Sequence, residues 1–167
     1  SRPQYAGRVR IDARGNAVFP HWNRDGLCGF ELRNANYRGF AKHGVKGLWL
    51  SLDSQHVEQL IFTEAAIDAL SYAALHEAAS LGLASFGGAL SPDQRELLKS
   101  TIERFAGRKV VIATDNDEGG DSLAAQIEAA FTAVGRRDLR LIADRPPRRG
   151  WDWNDVLRAA VAVQSAL

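Results

Sequence analysis

Lys109-Val110-Val111-Ile112-Ala113-Thr114 runs without a break into Asp115-Asn116-Asp117-Glu118-Gly119-Gly120-Asp121. The first half is a short β-rich apolar run, the strongest strand signal in the chain. The second half sets a crowd of carboxylates and two adjacent glycines at the strand's end. Leu123, Ile127, Phe131 and Val134 then recur at helical spacing, and Gly135 stops the pattern. The stretch therefore reads as strand, acidic turn and helix.

The same grammar extends in both directions. Gln59 to Thr63 reads as a buried strand, and Glu64 to Ala79 as a helix with apolar residues at 67, 70, 74 and 78. Leu81 to Phe86 is a further strand. Ser91-Pro92-Asp93-Gln94 supplies a capping serine, a first-turn proline and a capping-box glutamine to a helix carrying Leu97, Leu98, Ile102 and Phe105. Leu139 to Ala143 gives another strand, 145 to 149 an Arg/Pro-rich loop, and Asp152 to Ala166 a last helix. Repeated βα units predict an α/β fold: a mostly parallel sheet with helices on both faces. Upstream the texture changes. Short runs at Val9 to Ile11, Ala17 to Trp22, Leu27 to Leu32 and Gly47 to Leu52 alternate with Gly, Asn and Asp turns, which predicts a small antiparallel β-rich segment. The expected division is residues 1–56 and 57–167.

With 167 residues, 46% hydrophobic and 25% charged, the chain has the makings of one globular domain plus an appendage, and a mainly disordered class is excluded. No apolar run reaches the roughly 18 residues of a membrane span, and no secretory leader is read, so no membrane partner is expected. Twenty-one basic residues against 20 acidic ones leave +1, so local rather than bulk charge must decide about nucleic acid. A single Cys28 excludes an internal disulfide and fits a reducing compartment such as cytoplasm. The absence of methionine leads us to expect a piece of a longer protein with further domains.

In a doubly wound sheet, ligands lie beyond the carboxyl ends of the strands. Two such ends are acidic here: Thr63 leads into Glu64 with Asp68 a turn later, and Thr114 leads into Asp115 and Asp117. Carboxylates brought together from neighbouring strands repel unless a cation or protons intervene, and magnesium is suited to such oxygens. The same acids also suit a plain structural role, because Asp117, Glu118 and Asp121 can cap the helix that follows. Other motifs fail. An EF-hand loop from Asp115 would meet Gly119 and Gln126 where ligands are needed, and neither a P-loop nor a Gly-x-Ser-x-Gly elbow occurs. His21, His43, His56 and His76 lack metal-ligand spacing.

Glu64-Ala65-Ala66-Ile67-Asp68-Ala69-Leu70-Ser71 after one strand and Asp115-Asn116-Asp117-Glu118-Gly119-Gly120 after another resemble the Toprim domain, shared by bacterial primases, topoisomerases and some nucleases. Phe86-Gly87-Gly88-Ala89-Leu90-Ser91 and Trp151-Asp152-Trp153-Asn154-Asp155-Val156-Leu157 extend the resemblance, which covers residues 57 to about 158. Residues 15–50 are similar to the strand-rich segment preceding Toprim in primase-like proteins of plasmids, phages and conjugative elements. The resemblance implies a Toprim fold and a site dependent on Mg²⁺ or Mn²⁺. Glu64 would be a metal ligand or general acid/base, Asp115 and Asp117 the metal-binding pair, Asp68 a supporting acid and Asp152 a further ligand or orienting group. The implied activity is primer synthesis from nucleoside triphosphates on single-stranded DNA. The alternatives are a nuclease using the same acids and a non-catalytic metal- or DNA-binding module of a relaxase-type transfer protein. Ala65 stands where many members carry glycine, and Tyr5, Tyr37 and Tyr72 lack a cleavage context, which argues against the topoisomerase branch.

Arg136, Arg137, Arg140, Arg145, Arg148 and Arg149 crowd the segment before Trp151 and Trp153, a combination that suits a single-strand track, while the tryptophans equally suit core closure. Arg33, Arg38, Lys42 and Lys46 form a second basic set.

Overall fold

The computed structural model describes residues 5–51, 57–76 and 81–165. The amino-terminal strands β1 (Arg10–Ile11), β2 (Ala17–Asn23), β3 (Gly26–Asn34) and β4 (Tyr37–Phe40) form an antiparallel meander in chain order. The second sheet contains β5 (Trp49–Leu50), β6 (Gln59–Thr63), β7 (Leu81–Ser85), β8 (Lys109–Ile112) and β9 (Arg140–Ala143), in the order β5-β7-β6-β8-β9. β6 to β9 are parallel, and β5 is an antiparallel edge on β7. The helices are α1 (Ala66–Leu75), α2 (Pro92–Arg104), α3 (Glu118–Val134) and α4 (Trp153–Gln164).

Strand alternation explains the layers. Leu60, Phe62, Val110 and Ile112 pack with Leu98 and Ile102 of α2 and Leu123 and Ile127 of α3. Ile61, Leu83 and Val111 face the other way, onto Ala66, Ala69 and Tyr72 of α1 and Trp153 of α4. The expected α/β sheet with helices on both faces is the observed one. Trp153 is 5% exposed and closes the core, as one of its two expected roles had it.

Three elements depart from the sequence expectation. α1 begins at Ala66 rather than Glu64, and the expected end of that helix at Ala79 lies outside the described residues, as do Leu52, His56 and Ala166. β4 was not expected, because Tyr37-Arg38-Gly39-Phe40 is short and interrupted by glycine. β5, grouped by sequence with the amino-terminal strands, joins the second sheet through Trp49 opposite Ser85. The two sheets also meet at a bridge between Trp22 and Leu48.

Pairing in the meander puts Phe19 beside Glu31 and Glu31 beside Phe40, and Ala17 beside Arg33 and Arg33 beside Arg38. Because side chains alternate, these residues share one face. Phe19 belongs to the core cluster of α1 and α4, so that face is turned toward the second sheet.

Candidate active site

β6 leads through α1 to β7 on one side, while β8 leads through α3 to β9 on the other, so the strand order reverses between β6 and β8. A reversal of this kind opens a crevice at the carboxyl ends of the two strands. Glu64 and Asp115 stand at those ends. Glu64 lies in the loop ahead of α1, where Gly87 and Gly88 donate their backbone N–H groups to its carbonyl at 2.9 and 3.1 Å. Asp68, on the first turn of α1, is 3% exposed and accepts a hydrogen bond from the Asn154 backbone at 3.3 Å.

Asp117 does the capping work that its position also suited, and Asp152, for which no cap was expected, does the same for α4. Asp117 is the N-cap of α3 and accepts from Gly120 N–H at 2.7 Å; Asp152 is the N-cap of α4 and accepts from Asp155 N–H at 2.7 Å. Each keeps a carboxylate oxygen free of its cap. Gly120 is required where it stands, because a Cβ there would overlap the Asp115 carbonyl. At Gly119 a Cβ would lie 3.3 Å from Asp117 Oδ1 and 3.9 Å from Glu64 Oε2, so this glycine keeps the space between the two carboxylates open.

The acids feel one another. Burial, with Asp117 adding to it, holds the Glu64 carboxyl above the usual range, while Arg33, Arg38 and Lys46 pull the other way. Burial and then Asp115 and Asp152 push Asp68 up to about 8. Burial and the charges of Glu64, Asp152 and Asp117 push Asp115 up to about 7, against Arg145. Among the described residues no three acidic, histidine or cysteine side chains stand close enough to cage an ion by themselves. Magnesium does not need such a cage, since it takes one or two carboxylates and keeps several waters. Two features fit it. Asp115 Oδ1 is buried without a hydrogen-bond partner, and the Gly119 gap leaves room between Glu64 and Asp117.

A family model described as Toprim-like matches residues 61–157. The chain belongs to the Toprim-like family. Residues 1–56 match a family described as a protein of unknown function, DUF3991. No curated protein matches the sequence. A DNA primase domain from Pseudomonas aeruginosa is similar in structure, with a TM-score of 0.57 at 14% identity, over 96% of this chain and 56% of that one. The primase fragment of the bacteriophage T7 primase-helicase protein gives 0.55 at 17% identity, over 93% and 64%. The chain thus spans 56% to 64% of the length of these structures, and the likeness is one of fold. It is a primase-type Toprim fold.

The arginines around this Toprim-like site do not form one track. β9 separates them: Arg136, Arg137 and Arg140 fall at its amino end, away from the acids, and Arg145, Arg148 and Arg149 follow its carboxyl end. Arg136 binds Asp138 at 2.7 Å and the Glu103 carbonyl at the end of α2 at 2.7 Å, which ties down the chain between α3 and β9. Arg145 bonds to Asp121 and to the carbonyl of Asp115, and Arg149 reaches Asp121 at 2.8 Å. These two arginines brace the acidic turn. Arg148 lies over the Trp151 ring at 5.0 Å.

Of the second basic set, the charges of Arg33, Arg38 and Lys46 act on Glu64, whereas Lys42 lines a different hollow with Leu27, Phe30 and His43. Two residues that sequence reasoning passed over stand behind them. Glu31, 2% exposed, pairs with Arg33 and accepts from the Ala66 N–H at 3.3 Å. His21 is fully buried and donates from Nδ1 to the Gly47 carbonyl at 2.8 Å. A charged residue alternating with apolar ones in Gly29-Phe30-Glu31-Leu32-Arg33 is the only sequence signal for Glu31, and a solvated strand face looks the same.

Proposed function

We propose that this chain is the catalytic domain of a primase-like protein, transferring nucleotides to a growing RNA primer on single-stranded DNA with Mg²⁺ or Mn²⁺. Residues 1–56 form its amino-terminal extension and 57–167 the Toprim domain proper. What supports the reading is that Glu64 and Asp115 follow the strands at the reversal point of the sheet, that Glu64 and Asp117 oxygens flank Gly119, and that the charges of these acids and of Asp68 and Asp152 act on one another. The similarity of residues 15–50 to segments from plasmids, phages and conjugative elements supports a parent of that kind.

Of Glu64, Asp115 and Asp117, one or two would ligate the ion directly and the remainder would reach it through its waters, and Asp68 and Asp152 would keep the local potential negative. A divalent ion there supplies Lewis-acid polarisation of phosphoryl oxygens and eases loss of the proton from an attacking hydroxyl. Glu64, with its proton affinity raised by burial and Asp117, is suited to accept that proton at Oε2, the oxygen beside the Gly119 gap. Arg145 holds the Asp115 backbone in place, so the Asp115 carboxylate enters the site preorganised.

The test uses the parent protein with labelled single strands, with and without ribonucleotides. Products longer than the input are expected, and Glu64→Gln with Asp115→Asn should abolish them while leaving the circular dichroism spectrum unchanged. Undiminished synthesis by that double variant would refute the catalytic assignment. Shortened strands would favour the nuclease, and tight strand binding without turnover the transfer-protein module.

A further inference from the structure

Gln94 is the capping-box glutamine of α2, yet its side chain is fully buried. Capping needs only Oε1, which accepts from the Ser91 N–H at 2.9 Å, and an exposed glutamine would serve α2 equally well. Burying the rest of the amide is costly unless its two hydrogens are also bonded. Both are. Nε2 donates to the Gly47 carbonyl and to the Phe86 carbonyl, each at 2.8 Å. The amide has one orientation, because turning it over would set Oε1 against two carbonyl oxygens.

Neither acceptor belongs to α2. Gly47 lies in the connection from β4 to β5, and its carbonyl also accepts from His21 Nδ1 at 2.8 Å. Phe86 follows β7 directly. The Phe86 carbonyl and the Gly87 N–H are opposite edges of one planar peptide. That N–H donates to the Glu64 carbonyl at 2.9 Å, and the Gly88 N–H joins it at 3.1 Å. The Gln94 amide therefore holds one edge of a peptide whose other edge holds the backbone of Glu64.

The turn between them needs such a hold. Gly87 and Gly88 have φ of +68° and +103°, a conformation glycine adopts freely and leaves as freely, and neither has a side chain to fix it. The His21 ring limits the turn from one side, since a Cβ at Gly87 would lie 3.1 Å from its Cε1. On the far side of Glu64 the loop is already held, by Thr63 Oγ1 donating to the Ala65 carbonyl at 2.9 Å and by Glu31 accepting the Ala66 N–H. Gln94 completes the grip from the side of β7.

We propose that Gln94 is a positioning residue for Glu64: by orienting the Phe86–Gly87 peptide it fixes the backbone from which the Glu64 carboxylate enters the crevice. The inference rests on the function proposed above for the task Glu64 performs, and on the hydrogen bonds alone for the link itself.

The test uses the parent protein. Gln94→Met keeps the length of the side chain and removes both donations; Gln94→Glu keeps an acceptor for the Ser91 N–H and sets an oxygen against the two carbonyls. In hydrogen exchange read by mass spectrometry, peptides covering residues 86–90 should exchange at least about fivefold faster in both variants, and peptides from β8 and α3 less than about twofold faster. Primer synthesis should lose about tenfold or more in kcat, with the KM for nucleotide within about threefold. Ser91→Ala removes a cap from the same helix but leaves the Gln94 amide bonded, so it should keep kcat and exchange at 86–90 within about twofold of the native protein. Equal acceleration of exchange in every peptide, or the same loss of kcat in Ser91→Ala, would show a general contribution to stability and overturn the proposal. Faster exchange confined to 86–90 with kcat unchanged would overturn it too. If the parent shortens strands instead of extending primers, and that cutting slows in both Gln94 variants, the clasp stands and the primer reading is refuted. Primer extension at one rate in the native protein and in Gln94→Met would do the reverse.

Discussion

Replacing Asp68 by Asn should make the metal-free protein more stable, by an amount that grows with pH. Asp68 is 3% exposed, has one backbone hydrogen bond and faces Asp115 and Asp152, which together with burial push its carboxyl from 3.8 up to about 8. Between those two values the folded chain binds a proton that the unfolded chain has released. Stability therefore falls as pH rises across that window, by up to about 1.4 kcal/mol per pH unit. At pH 7, about 3 units above the unfolded value, this amounts to at most roughly 4 kcal/mol, and local rearrangement around a charged Asp68 reduces it to about 2 to 3. Asn keeps an oxygen for the Asn154 N–H and carries no charge. Thermal unfolding in a chelator should show Asp68→Asn melting about 5 to 10 °C higher at pH 7.5 and nearly level with the native protein at pH 4. Mg²⁺ at pH 7.5 should narrow the gap, because a bound cation favours the ionised acids. A difference that is constant with pH, or a less stable Asn variant, would refute the claim that Asp68 is held against its charge.

Gly119→Ala should lower Mg²⁺ affinity by about tenfold in calorimetric titration while unfolding within about 1 kcal/mol of the native protein, since the added methyl meets carboxylate oxygens and not backbone. Ser91→Ala should cost about 1 kcal/mol in denaturant unfolding without changing nucleotide binding, because the Ser91 hydroxyl accepts only from the first turn of α2.

Much of this arrangement was readable before any coordinates, for physical reasons particular to each element. β6 and β8 are uninterrupted apolar runs that end in acid, and parallel neighbours put their ends side by side. The capping box of α2 is encoded in four consecutive residues and needs no distant help. The start of α1 was misjudged for the opposite reason: Ala65 gives no capping signal, and the group that substitutes for a cap is Glu31 on another sheet. The division of the arginine stretch was not legible because a four-residue strand moves the chain about 10 Å from one end of the sheet to the other, so sequence neighbours such as Arg140 and Arg145 stand at opposite ends. The cations whose charge acts on Glu64 come from β3, β4 and the connection after them, and no spacing rule connects Arg33 with Glu64.

The joint between the two matched families has an evolutionary consequence. Phe19 and Trp49 from the first segment share an interior with Ile61, Ala66 and Trp153 from the second, and Trp49 also donates its indole N–H to the Arg8 carbonyl at 2.8 Å. A lineage that exchanged residues 1–56 for a foreign cassette would bare that seam and strip the edge of β7. In this chain the two matched segments are therefore constrained to change together, because a substitution on one side of the shared interior must be absorbed on the other.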